Sequence, residues 1–110
     1  MINSDTALGN RIMSEDITFF THNFCEDLAI EKKEVNFTED DDPVFGGRLC
    51  IRLKKRNIDF SISFMTKGWL GIEAFDWSSK DLILNYLLEP LQHEEKRRAI
   101  LHLKNLISSI

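Results

Sequence analysis

Between Gly46 and Phe75 the chain alternates apolar and polar residues in three runs. Leu49, Ile51 and Leu53 share one phase, Ile58, Phe60, Ile62 and Phe64 the next, and Leu70, Ile72 and Ala74 the third. Successive side chains of a strand point to opposite faces, so each run offers one apolar face and one polar face. The turns between the runs set the register. A turn centred on Arg56-Asn57 places Leu53 against Phe60, Ile51 against Ile62 and Leu49 against Phe64. A second turn, centred on Lys67 with Gly68 supplying a positive φ, places Phe64 against Leu70, Ile62 against Ile72 and Phe60 against Ala74. Both registers gather every inward residue on one face. The other face carries Arg52 beside Ser61 beside Glu73, and Lys54 beside Asp59, a pairing of opposite charges that suits a solvated surface. Trp69, Phe75 and Trp77 fall in phase with that polar face or at its ends. Either another segment covers them or they are exposed.

Helical spacing flanks the meander. Ser14 is a good N-cap with Glu15 and Asp16 behind it, and Ile17, Phe20, Phe24 and Leu28 recur at intervals of three and four. This predicts a helix from Ser14 to about Ile30, preceded by a loose tail over residues 1–13. Glu34–Thr38, with Val35 and Phe37 in phase, reads as a short edge strand. Beyond Phe75, Ser78-x-x-Asp81 resembles a capping box, and Leu84, Leu87, Leu88 and Leu91 supply an apolar side. Pro90 either kinks this helix or opens the last one, whose stripe is Ile100, Leu103, Ile107 and Ile110. The predicted fold is α+β: a three- to four-stranded antiparallel meander packed with an N-terminal helix and two C-terminal helices. A chain of 110 residues forms it as a single domain, 1–110.

Charge changes the picture. The net charge of -4 hides a split, with eleven acidic residues against three basic ones up to Phe45 and seven against eleven from Gly46 on. The acids concentrate in Glu26, Asp27, Glu31 and Glu34 and in the run Glu39, Asp40, Asp41 and Asp42. Four consecutive like charges repel, so the run is a solvated loop or an acidic contact surface. Trp is enriched among the residues that anchor interfaces. The candidate partner-binding set is therefore these eight acids together with Trp69 and Trp77.

Candidate chemistry is thin. His22 and Cys25 lie three apart on the first helix, but nothing marks an orienting third group or an oxyanion hole. His93 and His102 have no metal-ligand spacing, and a calcium loop counted from Asp40 would need Glu where Ile51 stands. No phosphate-loop, dinucleotide or nucleophile-elbow motif occurs. No catalytic residues, metal ligands or cofactor are expected. Two cysteines, Cys25 and Cys50, read as buried thiols of a cytoplasmic protein, and no apolar run reaches the roughly 20 residues of a membrane span. Lys54-Lys55-Arg56 and Lys96-Arg97-Arg98 could each touch phosphate, but a pI near 5.3 argues against direct nucleic-acid binding.

In its size, its acidic loop and its lack of catalytic motifs the chain resembles the immunity proteins of bacterial toxin systems, including those of contact-dependent growth inhibition. That resemblance implies an antitoxin-like protein that binds a cognate toxin domain, often a basic nuclease, and blocks it. No motif carries it, and no site residue transfers from it. A secretion chaperone or a phage-encoded inhibitor would share the same profile. A chaperone would favour a dimer with an apolar groove, and a nucleic-acid binder would use the two basic clusters.

Overall fold

The computed structural model describes residues 4–24, 28–39 and 42–110. Its centre is one antiparallel sheet of five strands in the order β1-β2-β3-β4-β5. The strands are β1 (Lys32–Thr38), β2 (Arg48–Lys55), β3 (Ile58–Met65), β4 (Leu70–Asp76) and β5 (Asp81–Leu88), between helices α1 (Ser4–Asn23) and α2 (His93–Ser108). The β2-β3-β4 registers are those the alternation predicts, with Ile51 opposite Ile62 and Ile62 opposite Ile72. Arg56 and Asn57 turn the first hairpin with positive φ at both positions, and Gly68 turns the second at φ 98°. Phe60, Ile62, Phe64, Leu70 and Ile72 are fully buried beneath the helices. α1 lies against β3 and α2, and α2 against β4 and β5. Phe20 of α1 meets Phe64 edge-on at 5.6 Å.

Four expectations need correction. The sheet has five strands, not three or four, and one helix follows it, not two. The segment read as a capped helix is β5. Lys80, at φ 58°, turns the chain straight back from β4, and Leu84, Tyr86 and Leu88 then face Ala74, Ile72 and Leu70. A bulge that skips Ile83 breaks the alternation and hides it from a period-2 reading. Residues 4–13, expected as a loose tail, form the first half of α1, so Ser14 sits inside the helix and not at its cap. Gly9 makes this possible. A Cβ there would lie 2.6 Å from the Thr66 carbonyl oxygen, so only glycine lets the helix press on the β3–β4 turn. α1 also ends at Asn23, short of Ile30, where the Asn23 amide donates to the Phe19 carbonyl. Val35 and Phe37 do occupy an edge strand, β1, and both are exposed.

Two lysines of the expected basic clusters turn out to hold the layers together. Lys96, 1% exposed, donates to Asp16 Oδ2 at 2.8 Å, to the Gly68 carbonyl at 2.6 Å and to the Pro90 carbonyl at 3.0 Å. All three ammonium protons are used, and α1, the β3–β4 turn and the start of α2 are tied at one point. Lys55, at the end of β2, reaches under the helices and donates to the Ile107 carbonyl at 2.8 Å. The last turn of α2 has no basic residue of its own. Lys55 supplies the positive charge that the negative end of the helix dipole favours.

Candidate functional site

The helices cover one face of the sheet and leave the other open. That open face carries Lys32, Glu34, Asn36 and Thr38 from β1 and Arg48, Cys50, Arg52 and Lys54 from β2. β3 adds Asp59, Ser61, Ser63 and Met65, and β4 adds Gly71, Glu73 and Phe75. A shallow depression of roughly 500 Å³ lies across it, lined by Lys32, Glu34, Arg52, Lys54, Asp59, Glu73 and Phe75 among others. Basic residues line the β2 side and acidic ones the β3–β4 side, so the face is electrically two-sided.

Trp77 stands at the edge of this depression. It is 53% exposed, meets Phe75 edge-on at 4.8 Å, and donates from Nε1 to Asp59 Oδ2 at 2.6 Å. Its backbone N–H donates to the Asn57 carbonyl, and Asn57 Nδ2 donates to Ser78 Oγ, so the two hairpin tips brace it. The ring is thus exposed yet fixed in orientation. Asp59 holds the ring nitrogen, and Asp76 and Asp81 close the β4–β5 ladder at the turn that carries Trp77, with Lys80 in the same turn. Asp76 and Asp81 face each other directly across the β4–β5 ladder, where like charges destabilise the pairing.

The residues predicted for partner contact divide between two ends of the sheet. Glu34 lies in the depression beside Lys32, 3.1 Å away, and Glu31 at the same end accepts from the Arg56 backbone N–H. Glu39 follows β1 at the opposite end and is exposed. Asp42 there is a turn residue, accepting the N–H groups of Val44 and Phe45 at 2.8 and 2.9 Å. These bonds hold its carboxyl below the ordinary 3.8. Glu26, Asp27, Asp40 and Asp41 lie outside the described residues. Trp69 belongs to this second end. It is half-buried, meets Phe45 edge-on at 5.2 Å, and shares a depression with Leu8, Ile12 and Pro90. The N-terminal helix therefore flanks Trp69 and leaves Trp77 open. Reasoning from the sequence set Asp59 beside Lys54 but left it, Asp76 and Asp81 out of the partner-binding set. Their signal was the β3–β4 register extended one hairpin further.

His22 is exposed and Cys25 lies outside the described residues. Among the described residues no group of three or more His, Cys, Asp and Glu side chains could hold a metal. Cys50 is a free thiol on the open face, 3.4 Å from Ser61 Oγ. Burial pushes it up, but hydrogen bonds with Ser61, Ser63 and Arg52 outweigh burial and bring it below its ordinary value. His102 Nδ1 pairs with the Tyr86 hydroxyl at 2.7 Å, on the helix side of the sheet. Among the described residues no helix is long and apolar enough to cross a membrane. No protein-family model, no curated protein and no solved structure matches the chain.

Proposed function

We propose that the chain is a non-catalytic protein-binding module of the immunity type, acting in the cytoplasm. It neutralises a basic toxin domain by laying the Trp77 end of its open sheet face on that domain's positive surface. The observation that carries this reading is Trp77 itself, exposed and braced by the Asp59 carboxylate, Phe75 and Asn57, with Asp76 and Asp81 at its own turn. A pre-oriented aromatic loses little entropy on binding, and truncation of such an anchor costs about 2 kcal/mol or more. Acids around it steer a basic partner and attract a Lys or Arg to the ring face. The basic β2 side of the same face disfavours a uniformly basic partner there and so sets the docking orientation. A nucleic-acid reading is weakened because Lys55 and Lys96, one from each basic cluster, are buried in structural bonds.

The test is capture from the native host with the immobilised chain, followed by calorimetric titration of the captured protein. A basic partner is expected whose affinity falls about 30-fold for Trp77→Ala, equivalent to about 2 kcal/mol. Unchanged affinity of a normally folded Trp77→Ala variant would falsify the docking mode. Capture of acidic partners alone would overturn the immunity reading.

A further inference from the structure

The two edges of the sheet are built differently. β1 carries Lys32, Lys33 and Glu34 in its first half, ahead of exposed Val35 and Phe37, and charge on an edge strand discourages further pairing. β5 carries no charge from Leu82 to Leu88, and Leu82, Ile83 and Leu87 are exposed along it. Leu91, just past its end, is the most exposed large apolar residue among those described, at 70%. Among the described residues no strand lies beyond β5, so the outward N–H and C=O groups of the strand have no ladder partner. The bulge at Ile83 protects only the first part of the edge. Leu84–Leu88 is a regular run in the β4 register.

From this we infer that β5 pairs antiparallel with β5 of a second copy and joins two five-stranded sheets into one. Charge selects this occupant. A copy offering its β1 would set Lys32, Lys33 and Glu34 against leucines, and that head-to-tail contact would propagate into a filament. A copy offering its β5 opposes no charge to charge and closes as a two-fold dimer. An axis through Tyr86 sets Leu84 against Leu88 on the helix side and Asn85 against Leu87 on the open side. It leaves the bulge outside the ladder. Edge pairing extends the open face without covering it, so the dimer is independent of the Trp77 surface.

Sedimentation equilibrium and hydrogen exchange test this on the full chain. The wild-type chain is expected to dimerise, with amides within Leu84–Leu88 gaining protection as concentration rises while Lys32–Thr38 amides do not. Leu87→Lys, at an exposed position, is expected to weaken the dimer by about tenfold or more, because each copy loses an apolar contact and the two ammonium groups become diagonal neighbours across the new ladder. Its far-UV spectrum and melting should match the parent, and Trp77→Ala should leave the dimer intact. A chain that sediments as a monomer up to about 1 mM overturns the inference. So does a dimer that Leu87→Lys leaves unchanged, or one whose concentration-dependent protection falls on β1.

Discussion

Replacing Lys96 by Met should be among the most damaging single changes in this chain. The side chain is 1% exposed and its ammonium has three acceptors, Asp16 Oδ2, Gly68 O and Pro90 O. Met keeps the apolar stem and deletes the charge. Asp16, whose side chain is 10% exposed, then loses its counter-ion, and two carbonyls lose their donor. Breaking one side of a buried ion pair costs about 3–5 kcal/mol, a third or more of a typical domain stability of about 5–15 kcal/mol. In a chain of this size about 3 kcal/mol lowers the melting temperature by roughly 12 °C or more. Urea unfolding of Lys96→Met, Asp16→Leu and the double variant should show strong non-additivity. The double variant should recover most of the loss, because an apolar pair of similar volume needs no desolvation. Desolvation also dominates Asp16 itself, and burial raises its pKa above the ordinary 3.8 more than Lys96 lowers it. The folded state therefore holds the Asp16 proton more tightly than the unfolded chain does. The stability from that proton is complete below the unfolded value of 3.8 and is lost as pH rises through the raised folded value. Relative to Asp16→Asn, the parent should gain stability as pH falls through this window. A Lys96→Met variant melting within about 2 °C of the parent would show that the pair is solvated and the reasoning wrong.

The core, the helix contact, the tryptophans and the turn carboxyl give four further expectations. Ile62→Ala, at a fully buried site between two strands, should cost about 2–5 kcal/mol in denaturant unfolding. Gly9→Ala should destabilise, although helix propensity alone predicts a gain of about 1 kcal/mol, because the new Cβ meets Thr66 O at 2.6 Å; a melting point above the parent's would refute the close approach. In single-tryptophan variants, iodide should quench Trp77 strongly and Trp69 weakly, and equal quenching would contradict their placement. Carboxyl NMR titration should place Asp42 below 3.8 and Asp16 above it, so that acid lowers stability through the first and raises it through the second.

The meander was legible because strict alternation and turn chemistry agreed over three strands, and agreement between levels is what fixes a register. β5 was not, because Leu82-Ile83-Leu84 is a continuous apolar run and Leu84, Leu87, Leu88 and Leu91 also satisfy helical spacing. Only the bulge at Ile83 reconciles that run with a sheet. The first half of α1 was illegible for a different reason. Its inward positions are Gly9, Ile12 and Asp16, and two of those three are not apolar. Their partners, the Thr66–Lys67 turn and Lys96, are distant in sequence, so no local window contains the explanation. Trp77 was visible as a break in phase, whereas Asp81 reaches its turn only through the unrecognised β4–β5 hairpin.

Lys55 gives the order of synthesis a physical meaning. The β2–β3 hairpin is complete when Asp76 has yet to be made, and its lysine points to the side that will become the interior. The carbonyl that receives it belongs to Ile107, 52 residues later. At about 5–20 residues per second, the ribosome needs roughly 3–10 s to deliver that acceptor. Without that acceptor a buried ammonium is costly, so the end of the core beside Lys55 closes only when α2 docks. The last turn of α2 both closes the core and supplies the acceptor that makes the lysine's burial tolerable.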